Sequence, residues 1–208
     1  MNYIKKTAKI GLLCTSLSGI FLQTYISWRS NANHNNKINL VFDLDDTLIY
    51  SQKIYKFNNY NNKYIRNYDF KTNLEYKPNN EQHYVWIRPH TKLFLKLISK
   101  FTNIYVFTAA KKNYADNIIN EIFEKKPIRS LYYDNFQLLG KKDLRIIDFN
   151  IDLNKTFLID DKISNKVEKQ NFYHIPRFYY NQKYDFEIIK LFIWIIKKDL
   201  VYLRNSLA

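Results

Sequence analysis

Three carboxylates stand close together directly after an apolar stretch of the chain. Residues 39–42 lead into Asp43, and Asp45 and Asp46 follow within three positions. Unpaired carboxylates at the end of a buried strand are costly, so a positive group must lie close to them. Because ligands of open α/β sheets bind outside the carboxyl ends of the strands, this spacing predicts a divalent-metal site or a nucleophilic aspartate. The alternative is that Asp45 and Asp46 only cap a turn.

Further polar side chains follow two other apolar stretches. Thr108 comes after the second stretch, Asp160 and Asp161 come after the third, and Lys142 lies between them. Clustered carboxylates repel one another unless a hard cation neutralises them, and oxygen ligands without His or Cys favour Mg²⁺. A nucleophilic carboxylate, a hydroxyl group, an ammonium group and Mg²⁺ are together the groups that phosphoryl transfer requires.

These side chains can meet only if the stretches before them are parallel strands of one sheet. The stretches 39–42, 103–107 and 154–159 are apolar without alternation, which is typical of strands buried on both faces. Amphipathic spacing predicts helices after Pro89, over residues 111–123 and over residues 186–203. Strands that alternate with helices predict an α/β fold with a doubly wound, mainly parallel sheet.

The remaining segments give weaker patterns. Residues 83–87 and 172–175 are predicted strands, and residues 129–139 are predicted as one or two short strands. Residues 51–82 are polar and rich in Asn, Lys and Tyr, and they predict a loop or a short antiparallel excursion beside the site. The span from Asp43 to Asp161 leaves no room for a large cap domain.

The composition is strongly basic. The 208 residues carry a formal net charge of +14, which favours acidic partners such as nucleic acid, anionic lipid or phosphorylated segments. With 3 Gly and 4 Pro but many Asn, Lys, Tyr, Ile and Phe, part of this bias can come from an AT-rich genome. Cys14 is the one cysteine, which excludes an internal disulfide and a cysteine zinc cluster.

The N-terminal segment has the composition of a membrane or targeting sequence. Three lysines precede an uncharged run over residues 10–27, which Trp28 and Arg29 close, and the first acidic residue of the chain is Asp43. A signal-anchor helix is the first interpretation, because no small-x-small cleavage site follows the run. A cleaved signal peptide or a mitochondrial presequence are alternatives. A polar linker at residues 30–36 places the domain boundary between a segment 1–36 and a domain 37–208.

The order of the polar residues resembles that of the haloacid-dehalogenase superfamily. More narrowly, the chain resembles the FCP/SCP-type phosphatases that act on the C-terminal domain of RNA polymerase II, particularly their small and Dullard-like members. The resemblance covers about residues 40–203. It rests on Asp43-Leu44-Asp45-Asp46-Thr47-Leu48, Arg88-Pro89-His90, Phe107-Thr108-Ala109 with Tyr114-Ala115, Lys142-Asp143-Leu144 and Asp160-Asp161.

The resemblance implies a role for each matching residue. It makes Asp43 the nucleophile that forms an aspartyl-phosphate and a ligand of Mg²⁺, and Asp45 the general acid and base whose backbone carbonyl binds the same ion. Lys142 and Thr108 would hold the phosphoryl group, and Asp161 would complete the metal shell. Thr47 and Asp160 would support the site, while Arg88 and His90 would fix a turn. After Asp161 the family usually has Ser-Pro, whereas this chain has Lys162-Ile163.

The expected function is Mg²⁺-dependent hydrolysis of phosphoserine or phosphothreonine on a protein by a membrane-anchored, single-pass enzyme. An open site without a large cap favours a macromolecular substrate. One alternative is a catalytically weak binding module that resembles a mitochondrial inner-membrane translocase receptor. The other is a nucleic-acid end phosphatase, which the basic composition allows.

Overall fold

The computed structural model describes residues 19–53, 68–75, 80–148, 151–182 and 184–207. The strands are β1 (Asn39–Phe42), β2 (Ile49–Lys53), β3 (Phe70–Glu75), β4 (Asn80–Ile87), β5 (Asn103–Phe107), β6 (Ser130–Leu131), β7 (Thr156–Asp160) and β8 (Asn171–His174). The helices are α1 (residues 19–30), α2 (Thr91–Ile98), α3 (Lys112–Ile122), α4 (Tyr133–Leu139) and α5 (Glu187–Leu207).

A five-stranded parallel sheet in the order β6-β5-β1-β7-β8 forms the centre of the fold. The predicted parallel sheet with flanking helices is confirmed. Strand β1 lies between β5 and β7, with Phe42 opposite Val106 on one side and Ile159 on the other. Leu40 and Phe42 pack into the larger apolar core, and Val41 packs into the smaller core on the opposite face. Both faces are therefore covered, which explains the uninterrupted apolar sequence of β1.

A separate antiparallel sheet in the order β2-β4-β3 lies within the chain between β1 and α2. This sheet is the antiparallel excursion that the sequence predicted as one of two possibilities for residues 51–82. Residues 54–67 and 76–79 of that segment lie outside the described residues. The predicted strand at residues 83–87 is confirmed, and it begins earlier, at Asn80.

The prediction of one or two short strands within residues 129–139 is confirmed for one strand and wrong for the rest of the segment. Only Ser130 and Leu131 form a strand, and α4 follows them. The helix begins because the side chain of Asn135 accepts a hydrogen bond from the Tyr132 N–H at 3.1 Å. It ends at Gly140, whose φ of 64° is the left-handed conformation that glycine adopts without steric cost. Local capping thus decides a segment whose apolar pattern was ambiguous.

Helix α1 is packed onto the domain. Tyr25 and Ile26 are buried in the larger core, and Arg29 is 2% exposed. The Arg29 guanidinium donates to both carboxylate oxygens of Asp199 in α5, at 2.6 and 2.7 Å. The charge of Arg29 is therefore paired inside the protein.

No helix in the part of the chain that the structure describes has the length and hydropathy needed to cross a bilayer. Residues 1–18 of the predicted N-terminal segment lie outside that part.

Candidate active site

The loop after β1 reverses the chain while keeping its carboxylates at the sheet edge. The Asp43 N–H donates to the Ile159 carbonyl at 3.0 Å, so Asp43 extends the pairing of β1 with β7. Asp46 has a φ of 62°, a left-handed conformation that aspartate tolerates better than most residues, and its N–H donates to the Ile49 carbonyl at 2.7 Å. The turn leads directly into β2 and leaves the side chains of Asp43 and Asp45 near the ends of β5 and β7.

A buried lysine bridges two of the predicted acidic residues. The Nζ atom of Lys142 lies 2.7 Å from Oδ1 of Asp43 and 2.6 Å from Oδ2 of Asp160, and Lys142 is fully buried. The backbone of Lys142 is held by the loop after β7, because its N–H donates to the Asn165 carbonyl at 2.9 Å and its carbonyl accepts from Gln170 at 3.0 Å. The structure thus brings Lys142, rather than the neighbouring Lys141, to the carboxylates.

Burial and ion pairing have opposite effects on the pKa values of Asp43 and Lys142. Burial raises the pKa of the Asp43 carboxyl to about 7, while the Lys142 ammonium acts to lower it. Burial disfavours the charged form of Lys142, but Asp43 and Asp160 outweigh that effect and raise the pKa of the ammonium. The lysine therefore stays protonated, and its positive charge offsets part of the effect of burial on the pKa of Asp43.

Three carboxylates form a group that suits a divalent cation. One oxygen from each of Asp43, Asp160 and Asp161 lies within 4.8 Å of the others. The oxygens of Asp160 already accept hydrogen bonds from Lys142 at 2.6 Å and from Asn165 at 3.0 Å. Oδ1 of Asp161, by contrast, is buried and has no hydrogen-bond partner among the described residues. An unpaired buried carboxylate oxygen beside Asp43 fits an oxygen-ligated metal ion, with Asp160 as a supporting group.

Asp45 lies in a different environment from the cluster. Its Oδ1 accepts hydrogen bonds from the Tyr114 hydroxyl group at 2.7 Å and from Ser51 at 3.2 Å. Burial raises the pKa of Asp45, and the two hydrogen bonds only partly oppose that effect. A carboxyl group whose pKa is raised keeps its proton to higher pH, which favours a role as a general acid.

Two threonines tie the strand ends together. Thr47 is buried, and its hydroxyl oxygen accepts from the Asp161 N–H at 3.1 Å, which joins the loop after β1 to the end of β7. Thr108 is also buried and follows β5, where its hydroxyl oxygen accepts from the Ala110 N–H at 3.0 Å. The hydroxyl hydrogen of Thr108 can still be donated at the same edge of the sheet.

Arg88 is buried behind the loop after β1. It donates to the Thr47 carbonyl at 2.8 Å, to the Pro176 carbonyl at 2.8 Å and to Asp185 at 2.8 Å. These contacts agree with the structural role predicted for Arg88. His90 has a φ of 68° and occupies the N-cap position of α2.

Sequence reasoning missed one charged residue of the site. Arg177 is 39% exposed, and its guanidinium lies 3.0 Å from Oδ2 of Asp46 and 3.1 Å from Oδ2 of Asp161. It thereby holds one oxygen of Asp161 while the other oxygen stays free. Arg177 lies between Pro176 and an aromatic run after the last strand, and no motif in the sequence marks it.

Comparison with known proteins places the chain among phosphatases. The model of the family described as NLI interacting factor-like phosphatase matches residues 38–201. The CTD small phosphatase-like protein 1 of Caenorhabditis elegans is 30% identical over 131 residues, which are 61% of this chain and 24% of that protein. The putative CTD phosphatase-like protein 355R of Invertebrate iridescent virus 6 is 28% identical over 177 residues, which are 74% of this chain and 94% of that protein.

The fold also has a solved counterpart. The fission yeast RNA polymerase II CTD phosphatase Fcp1, in a form bound to beryllium fluoride, aligns with 83% of this chain and 55% of its own chain, with a TM-score of 0.57 and 20% identity. At this identity the likeness is one of fold. The chain spans about a quarter of the length of the nematode relative and about half of the yeast structure.

Proposed function

The chain belongs to the NLI interacting factor-like phosphatase family, and on that premise we propose that it is a Mg²⁺-dependent protein serine/threonine phosphatase that acts through an aspartyl-phosphate. The observation that carries this proposal is the contact of Lys142 with Asp43, at 2.7 Å, beside the free oxygen of Asp161. A charged, buried lysine on a buried aspartate at the carboxyl edge of a parallel sheet is the arrangement that an activated carboxylate nucleophile needs.

In the first step, a carboxylate oxygen of Asp43 attacks the phosphorus atom in line with the seryl or threonyl oxygen. The bond from phosphorus to that oxygen breaks, and Asp45 donates its proton to the leaving oxygen. Lys142 and the hydroxyl group of Thr108 stabilise the negative charge on the equatorial oxygens. In the second step, Asp45 accepts a proton from water, the water oxygen attacks the phosphorus atom, and inorganic phosphate leaves Asp43.

Asp43 and Asp161 would hold Mg²⁺ with their carboxylates, together with the backbone carbonyl of Asp45. When bound, the ion would neutralise the clustered negative charge and polarise the phosphoryl group. Arg177 and Thr47 keep Asp161 in place for that role, through its Oδ2 atom and its backbone N–H. Asp160 acts indirectly, because its carboxylate pairs with the Lys142 ammonium and orients it.

A protein substrate is proposed because the described residues between β1 and α2 form a small antiparallel sheet and no large cap. The site edge formed by Asp46 and Arg177 is partly exposed. An extended phosphorylated segment can approach such an open edge, whereas a small metabolite would gain little binding area there.

The experiment is hydrolysis of p-nitrophenyl phosphate and of a phosphoserine peptide by the full chain, with Mg²⁺ or with EDTA. We expect metal-dependent turnover that Asp43→Asn abolishes. Asp134→Asn, at an exposed position in the first turn of α4, makes the same chemical change away from the site and serves as the control. A folded, Mg²⁺-binding protein without turnover would favour the binding-module alternative, and turnover only of 3′-phosphorylated DNA would favour the nucleic-acid end phosphatase.

Membrane association through the N-terminal segment, with signal-anchor topology first and secretory or mitochondrial targeting as alternatives, stays a prediction. The support is the uncharged run over residues 10–27, which overlaps the first part of α1, together with three lysines upstream of it. Extraction of membranes with alkaline carbonate tests it: the full chain is expected in the pellet, and complete release into the supernatant would contradict the anchor.

A further inference from the structure

A small basic pocket lies at the edge of the parallel sheet opposite to the site described above. It has a volume of about 90 Å³ and is lined by Lys37, Lys125 and Lys126 together with His34 and Asn103. Asn103 is the first residue of β5, whereas Thr108 follows the last residue of that strand. The length of β5 places the pocket roughly 15 Å from the carboxylates.

The amide and hydroxyl side chains of this pocket already form hydrogen bonds within the protein. The amide of Asn103 donates to the His34 carbonyl at 3.0 Å and to Asn39 at 2.8 Å. The hydroxyl group of Thr102 donates to the Ile98 carbonyl at 2.9 Å. The lysine side chains, together with the His34 imidazole, are therefore the polar groups of the lining that remain for a ligand.

The carboxylates that interact with these lysines lie outside the pocket lining: Asp116 interacts with the charge of Lys126, and Asp199 with that of Lys37. No acidic residue lines the pocket. In the part of the chain that the structure describes, neither Lys125 nor Lys126 forms an ion pair with a carboxylate. The neighbouring Glu124 is paired with Lys96 at 3.0 Å. The buried carboxylate of Asp199 is already paired with Arg29.

Lys37 is held at the pocket by the protein backbone. Its Nζ atom donates to the Lys100 carbonyl at 3.0 Å and to the Ser30 carbonyl at 3.4 Å, which leaves one of its three protons for another acceptor. Burial, and then the positive charges of Lys125 and Arg29, lower the pKa of Lys37. The pocket thus concentrates positive charge around a lysine whose position is fixed.

We propose that this pocket binds the phosphate group of an anionic ligand. Three ammonium groups around a cavity of this size can donate charge-assisted hydrogen bonds to phosphate oxygens. The phosphate can belong to a lipid headgroup or to a free anion, and the lipid source agrees with the proximity of α1, whose last residue is Ser30 and which continues the N-terminal segment. This proposal is independent of the proposed phosphatase activity, because the pocket and the carboxylates lie at opposite edges of the sheet.

The test compares the full chain with the double variant Lys125→Gln/Lys126→Gln. Both positions are exposed, so the fold should tolerate the change. Inorganic phosphate is titrated calorimetrically in EDTA, and binding to phosphatidylcholine vesicles is measured with and without phosphatidylinositol 4-phosphate. We expect phosphate to bind about a hundredfold more weakly to the variant, since two charged hydrogen bonds are lost and each contributes about tenfold in Kd.

The control variant Lys190→Gln/Lys197→Gln removes the same charge from exposed positions of α5 and should bind phosphate like the unaltered chain. If the first variant also loses the preference for vesicles with the phosphorylated lipid, the source is a headgroup. If only soluble phosphate binding falls, the source is a free anion. Equal phosphate and vesicle binding by the two variants and the unaltered chain would overturn the proposal, whatever the rate of p-nitrophenyl phosphate hydrolysis.

Discussion

The hydroxyl group of Tyr114 donates a 2.7 Å hydrogen bond to Oδ1 of Asp45, although 69 residues separate the two in the chain. The family resemblance included Tyr114 in one of its motifs but gave it no role in the site; in the structure it is also a buried residue of α3. This contact connects the packing of a helix to the orientation of the proposed general acid.

Removing that hydrogen bond should weaken acid catalysis without unfolding the protein. Tyr114→Phe keeps the buried ring but loses a hydrogen bond to a charged group, and we expect kcat to fall about tenfold. The hydrogen bond lowers the pKa of Asp45, so its loss raises that pKa and the protonated acid persists to higher pH. The alkaline limb of the kcat profile should therefore move upward in pH. Tyr133→Phe, on an exposed tyrosine, is the control, and an unchanged profile in Tyr114→Phe would count against the role of Asp45.

Lys142→Met should destabilise the apoprotein in a pH-dependent way. It leaves Asp43 and Asp160 buried without their cation, which costs about 3–5 kcal/mol at neutral pH. Since Lys142 lowers the pKa of Asp43, its loss raises that pKa further above the unfolded value. Stability is then retained at low pH and lost as the pH rises through the folded pKa.

Thermal unfolding in EDTA between pH 5 and pH 8, followed by circular dichroism, measures this effect. The deficit of Lys142→Met should be smallest at pH 5. Lys141→Met changes an exposed neighbour and should unfold like the unaltered chain at every pH. A deficit that is the same at all pH values would show that lost packing, and not uncompensated charge, destabilises the variant.

Mg²⁺ should stabilise the protein through Asp161. At a concentration of 100 times the Kd, a ligand that binds only the folded state contributes about 2.7 kcal/mol, which should appear as a rise in Tm. Asp161→Asn removes the charge beside the free oxygen and should abolish most of that rise. A Tm rise in Asp161→Asn equal to that of Asp134→Asn would exclude Asp161 as a ligand.

The pair formed by Arg29 and Asp199 should make α1 part of the cooperative fold. Arg29→Met leaves Asp199 buried and unpaired, and we expect a loss of about 3–5 kcal/mol in urea unfolding. Replacing both residues, in Arg29→Met/Asp199→Leu, should recover part of it. Arg145→Met breaks an exposed ion pair and should have no measurable effect. An equally small effect of Arg29→Met would mean that the domain begins after α1, as the sequence predicted.

The sequence located the elements whose patterns are local. Apolar runs predicted the bounds of β1, β5 and β7 to within two residues, because a strand buried on both faces needs apolar side chains at nearly every position. The spacing of Ile118, Ile119 and Ile122 marked α3 in the same way. The strand prediction for residues 129–139 was wrong after β6, because a short helix with a local cap has almost the same apolar pattern as a strand.

For the site, the sequence alone determined which residue types are present and that Asp43, Thr108 and Asp160 follow strands that must end at one edge. The contact of Lys142 with Asp43 agrees with the residue that the resemblance had indicated. Only the tertiary structure decided that Tyr114 holds Asp45, that Arg177 holds Asp161, and that Arg29 is buried against Asp199. The physical reason is the range of the interactions. Strand patterns arise from each residue's own burial, whereas these contacts join side chains from separate elements whose distances are fixed only when the core has packed.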